Sequence, residues 1–163
     1  MRRFLMIFLS GAVFGTAFGV AFGFFIYPFI FPPPPAMDRL TAEEQSQLLA
    51  QGEFLHANPS DPIHYGKGKV RVYEGLVYLD SDFEVGPGPK FHVYLVPKAE
   101  IRQSAEVENT MFVDLGPLRA FKGSQKYTIP AGVPLENYPS VVIWCAQFDV
   151  LISPADLTFE GAS

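Results

Sequence analysis

One thiol and three imidazoles are the side chains of this 163-residue chain best suited to redox or metal chemistry: Cys145, His56, His64 and His92. Cys145 lies in Tyr138 to Val150, YPSVVIWCAQFDV, a stretch that also holds the only tryptophan. Its composition predicts a buried strand over Val141 to Val150. Alternation puts Trp144, Phe148 and Val150 on one face, and Val141, Ile143, Cys145, Gln147 and Asp149 on the other. The second face turns polar after Cys145, so the thiol is expected where the strand leaves the core, under a thin cover. There it has two readings. As a structural residue it is a small hydrophobe at the core edge. As a chemical one it forms a thiolate, a sulfenic acid, a mixed disulfide or a metal ligand, each of which needs access and an activating neighbour. Trp144 points to the opposite face and reads as core filling.

None of the histidines has the spacing of a metal site legible in sequence. His92 alternates with Phe91 and Val93 and is expected to face away from them as a surface or satisfied sheet residue. A meeting of Cys145 with a histidine in space, as in a copper-like or haem ligand set, stays open, and the sequence names no cofactor. Asp80, Asp82 and Glu84 resemble a calcium loop only briefly. The sixth position, where glycine belongs, is Val85, and the twelfth is Phe91 instead of glutamate, so a solvated hairpin end is the reading. No nucleophile elbow, phosphate-cradling glycine loop or HExxH motif is present, which disfavours hydrolases and nucleotide enzymes with familiar local signatures.

The elements that must position the thiol begin with a membrane segment. No charged residue occurs from Phe4 to Ala36, and the apolar run Phe4 to Phe31 exceeds the roughly 20 residues that cross a bilayer's hydrocarbon core. It is too long for the apolar region of a signal peptide and lacks a good cleavage site, so it reads as an uncleaved anchor. Arg2 and Arg3 before it predict a single-pass inner-membrane protein with a cytoplasmic N-terminus and a periplasmic or extracellular C-terminal domain. Gly11, Gly15, Gly19 and Gly23 recur every fourth residue and would form a groove for another helix, either in a homo-oligomer or with a membrane partner. Removing Arg2 and Arg3 from 12 basic residues leaves 10 against 17 acidic ones, a formal charge of −7 on the exported part. That charge argues against nucleic acid as a partner. A single cysteine cannot form an internal disulfide, so the fold rests on its core.

The chain divides into an anchor (1–31), a spacer with a short helix (32–51) and a β domain (52–163). Pro32 to Pro35 form a stiff spacer of roughly 12 Å. Thr41 and Glu44 make a capping box for a short helix through Leu48 and Leu49, ending near Gly52. Beyond it the predicted strands are Lys69 to Tyr73, Leu76 to Leu79, Phe91 to Val96, Phe112 to Leu115, Gln125 to Ile129, Val141 to Val150 and Leu157 to Phe159. Glu74-Gly75 turns the first hairpin, and Gly86-Pro87-Gly88-Pro89 is a rigid loop before Phe91. The expected class is all-β, an antiparallel sandwich or barrel-like domain.

From about Gly52 to Phe159 the chain resembles the DM-thirteen domain family, small all-β domains found beside DOMON domains and in Skeletor-type proteins. The resemblance rests on Gly52, Phe54, His64, Gly68, Gly88-Pro89, Val93-Tyr94-Leu95, Leu115-Gly116 and Leu118. It continues through Gly123, Gln125, Tyr127, Pro130, Tyr138, Ser140 and Val141-Val142-Ile143-Trp144-Cys145 to Phe148, Val150, Ala155 and Leu157. It implies a role in electron transfer centred on the cysteine, here Cys145, while the other matches read as turn and core residues. Lysine-rich positions expected after the cysteine are Ala146 and Gln147 here, so positive charge near the thiol is reduced. The implied function is a membrane-anchored, extracytoplasmic electron-transfer domain using a thiol or cofactor rather than a conventional enzyme. The alternative is a non-catalytic interaction or scaffold module at the membrane surface.

Overall fold

The computed structural model describes residues 1–161, with the side chains of Phe25 and Ser46 left aside. Arg2–Ile30 form one helix, α1. Its stretch Arg2–Phe24 has a mean hydropathy of 2.0. Twenty-three residues at about 1.5 Å each give roughly 34 Å, enough for a hydrocarbon core of about 30 Å. Length and composition alone make it a candidate span, and an N-terminal signal sequence passes the same test.

The rest is built on strands. They are β1 (Ala36–Met37), β2 (Leu48–Phe54), β3 (Gly66–Lys67), β4 (Lys69–Tyr73), β5 (Leu76–Leu79), β6 (Glu84–Val85), β7 (Phe91–Val96), β8 (Val113–Pro117), β9 (Gly123–Thr128), β10 (Ser140–Cys145) and β11 (Val150–Phe159). Nine of them form one curled sheet, a half-barrel, in the order β1-β9-β5-β4-β2-β11-β10-β7-β8, while β3 and β6 pair separately. All pairs in the large sheet are antiparallel except β1 with β9. This is the expected all-β class.

Alternation decides what the curl encloses. Val70, Val72, Val77, Leu79, Phe91, Val93, Leu95, Val141, Ile143 and Cys145 point inward to one continuous core. On the outer face of β7 and β10, Tyr94, Val142 and Trp144 are covered by Ile101 and by Val107 of a short helix, α2 (Ala105–Glu108). Tyr73, Leu76 and Tyr78 on the outer face of β4 and β5 are covered by Leu40 and Leu48. Both faces are thus apolar in places, which explains why β10 reads as a continuous hydrophobic run.

Three expectations need correction. The helix through Leu48 and Leu49 is absent. The Thr41–Glu44 box does form, with each residue's backbone N–H bonded to the other's side chain, but it caps only a 3-10 turn, Glu44–Ser46. Leu48 to Phe54 then enters the sheet between β4 and β11, burying Ala50 and Phe54. Sheet pairing overrides local helical preference there, and Gly52 is required because a Cβ would collide with the Asp156 carbonyl. The domain's strands therefore begin ahead of Gly52.

The predicted strand Val141 to Val150 is two strands. A turn over Ala146 to Asp149 breaks it, with Asp149 at φ 52°, a left-handed conformation that Asp tolerates better than most residues. Phe148 consequently leaves the Trp144 face and is 49% exposed. Third, the strand placed at Leu157 to Phe159 starts at Val150 and runs through Pro154. The proline is accommodated because β2 pairs with β11 only from Ala155 onward. The Glu74-Gly75 hairpin is as expected, with Gly75 at φ +70°.

Candidate functional site

Cys145 is the last residue of β10, paired with Phe91 on one side and Val150 on the other. Its side chain is inward and 2% exposed. The Sγ–H donates to the carbonyl oxygen of Pro89 at 3.3 Å. The backbone N–H of Ala146, one residue on, donates to the carbonyl of Lys90 at 3.0 Å. The loop before β7 and the turn after β10 are therefore stitched together over the thiol.

Both segments hold a residue in an unfavourable backbone conformation. Lys90 lies at φ 53° and Asp149 at φ 52°, two of the three non-glycine residues with positive φ among those described. Such residues cost of order 1–3 kcal/mol each and persist only where the surroundings hold them. The loop Gly86 to Pro89 was legible as a rigid connection, but the pairing of Pro89 with the thiol was not. Nothing local in the sequence marks Pro89 as a partner 56 residues away.

No histidine joins the thiol. His92 neighbours Phe91 on β7 and faces the other way, where its Nδ1 meets the Asp114 carboxylate at 2.9 Å and its ring meets Tyr94. It is the satisfied sheet histidine that alternation predicts. His56 Nε2 lies 2.7 Å from the backbone carbonyl of Asp61. Among the described residues no three His, Cys, Asp or Glu side chains converge to hold a metal ion. Asp80 pairs with Arg71, Asp82 accepts the backbone N–H of Lys69, and Glu84 lies between Lys67 and Lys122, in keeping with a hairpin end.

His64 closes a small clasp. Its Nδ1 lies 2.6 Å from Oδ2 of Asp61, whose Oδ1 accepts the backbone N–H groups of Ile63 and His64. Chiefly through the His64 side-chain bond, the Asp61 carboxyl is lowered from 3.8 to about 2. A carboxyl depressed in the folded state stabilises above its unfolded value, and that contribution is lost as pH falls through the folded value. We expect the Ile63 and His64 amide resonances to shift as pH falls from about 4 to about 2, and the shift to vanish in Asp61→Asn. A midpoint near 4 in the parent chain would contradict the clasp.

These features define a class: a small all-β half-barrel with one sheltered thiol at the junction of a loop and a turn. Residues 59–157 match the family described as Electron transfer DM13. That is more than half of the chain, and the chain belongs to this family, the DM-thirteen family that its sequence resembles. No curated protein and no solved structure matches the chain.

Proposed function

We propose that the protein is a membrane-anchored electron-transfer domain in which Cys145 is the reacting group. Membership in an electron-transfer family supports the general role. The observation that carries the role of Cys145 is the pair of strained residues, Lys90 and Asp149, bracketing a thiol held by one weak bond to Pro89. Opening of the Gly86 to Lys90 loop would release Sγ from the carbonyl and admit a partner.

The balanced step open to a lone thiol is exchange with a partner's disulfide. Sγ loses its proton to solvent and attacks one sulfur, the partner's S–S bond breaks, and the departing thiolate takes a proton. The product is a mixed disulfide between Cys145 and the partner. Rapid acid quenching of cells making the full chain, followed by non-reducing electrophoresis, is expected to show an adduct that reductant removes and Cys145→Ser abolishes. The same single band in parent and variant would refute the exchange.

Cys145's near-complete burial, with only a backbone carbonyl as partner, favours a second reading as a non-catalytic interaction module. Under it, Cys145→Ser retains full function in cells that lack the native gene. Loss of function with an unchanged melting curve rules that reading out.

We also infer that α1 spans the inner membrane once, with Arg2 and Arg3 cytoplasmic and the β domain outside, which follows from the charge asymmetry around the span. Gly11, Gly15, Gly19 and Gly23 leave room along α1, with no heavy atom near any Cβ position. A second copy or another membrane helix could pack there. Gly15→Ile with Gly19→Ile is expected to reduce crosslinked dimer in membranes, and an unchanged dimer or monomer yield would remove that surface.

A further inference from the structure

A second site lies on the outer face of the sheet, three strands away from β10. The segment from Asp38 to Leu48 passes over β4 and β5, and a pocket of about 540 Å³ remains between them. Small-molecule sites span roughly 300–1,000 Å³. Leu40, Leu48, Tyr73 and Tyr78 supply apolar and aromatic lining.

Three charged groups stand around that lining. Arg71 is bound to Asp80 at 2.8 Å. Arg39 makes no hydrogen bond or ion pair with any described residue. Two guanidinium groups against one carboxylate leave a formal charge of +1 on a domain that is acidic as a whole. Folding has therefore placed an uncommitted cation beside an apolar floor.

Tyr73 adds an independent observation. It is only 5% exposed, and its hydroxyl bonds to no described group. No sealed side-chain oxygen or nitrogen in the described residues lacks a partner. The Tyr73 oxygen is therefore not sealed from solvent, and the residue lines the pocket. The Tyr78 hydroxyl, by contrast, is spent on the Asp38 carbonyl at 3.1 Å. A hydroxyl without a protein partner, on a residue lining a pocket, is an unused donor and acceptor.

We propose that this pocket binds a small organic carboxylate carrying a ring or another flat apolar body. The carboxylate accepts from the Arg39 guanidinium, whose fork matches two oxygens, and from the Tyr73 hydroxyl. The body lies against Leu40 and Leu48. An inorganic anion would leave that floor wet, and a neutral ring would leave Arg39 unanswered. The site is independent of Cys145.

The test titrates the full chain in detergent micelles with benzoate, benzyl alcohol and inorganic phosphate by calorimetry. Saturable benzoate binding, tighter than either of the others, is expected. Arg39→Gln and Arg39→Ala should each weaken benzoate about tenfold or more, the scale of a hydrogen bond to a charged group, and Tyr73→Phe about threefold. Arg39 is exposed, so its variants should keep the parent's melting curve by Trp144 fluorescence. The proposal is overturned if benzoate shows no saturation, if benzyl alcohol or phosphate binds as tightly, or if folded Arg39 variants bind benzoate like the parent.

Discussion

Replacing Gln125 with leucine is expected to destabilise the domain by about 3–5 kcal/mol, although the side chain touches nothing chemical. Gln125 is fully buried on β9. Its Oε1 accepts from the backbone N–H groups of Arg119 and Ala120, each at 3.1 Å, and from the Tyr127 hydroxyl at 2.9 Å. Its Nε2 donates to the Ala120 carbonyl at 2.9 Å. One amide thus fastens the connection between β8 and β9. Leucine matches the volume and strands the N–H and the carbonyl of Ala120, each costing about 1–3 kcal/mol if left dry, while the Arg119 N–H and the Tyr127 hydroxyl keep only long bonds. Chemical denaturation of the detergent-solubilised chain, followed through Trp144, reads the change directly. This probe is unique, 3% exposed and stacked near Tyr94. Tyr127→Phe removes the short bond to Gln125 and two long ones, to the Arg119 N–H at 3.4 Å and the Pro117 carbonyl at 3.5 Å, and should cost only about 1–2 kcal/mol. Equal effects of the two substitutions would show that Gln125 is not the hub.

Alkylation of Cys145 in the native chain should be at least about 100-fold slower than in the unfolded chain, an opening cost of about 2.8 kcal/mol. The decisive feature is the dependence on denaturant. Opening of the Gly86 to Lys90 loop exposes little surface, so the rate should stay flat in urea concentrations below the unfolding transition. Global unfolding exposes the whole core and would make the rate climb steeply from the first addition. A steep climb would leave Cys145 without a native route to a partner, and thiol exchange would fall with it. Mass spectrometry of the alkylated chain suffices, because no second cysteine competes.

The sheet's course was legible wherever alternation and turn chemistry agreed. Val70 and Val72 followed by Glu74-Gly75 and then Val77 and Leu79 predict the β4–β5 hairpin without tertiary help. Leu48 to Phe54 failed because a true capping box precedes it, and only the vacancy between β4 and β11 makes the segment extended. The break after Cys145 failed because Ala146-Gln147-Phe148-Asp149 contains neither glycine nor proline. Its turn depends on Asp149 accepting a left-handed conformation. At the candidate site, the opposite facing of Cys145 and Trp144 was readable, as was the facing of His92, but not that Cys145 points into the main core while Trp144 lies on the outer face under Ile101 and Val107. The Pro89 acceptor and the Asp61–His64 clasp differ in kind. The clasp lies within three residues and follows an Asn58-Pro59-Ser60 turn signal, whereas Pro89 is a contact across the sheet that no local spacing encodes. Gln125 read as one more family match and proved to be a buried polar hub.

The two-residue strand β1 looks minor, yet it governs how the domain is carried. Ala36 donates to Lys122, Asp38 donates to Ser124, and the Asp38 carboxylate pairs with Arg119, so the chain is bound to β9 almost as soon as the prolines end. Only Phe31 and Pro32 to Pro35 separate this docking point from α1, and the four prolines form a stiff rod of roughly 12 Å. If α1 sat in a bilayer, so short and stiff a link would hold the half-barrel near the surface and narrow its range of height and attitude. Were α1 anchored in this way, a protein in the same membrane would meet the same side of the sheet at each encounter and at a high effective concentration, an advantage a freely diffusing partner would lack.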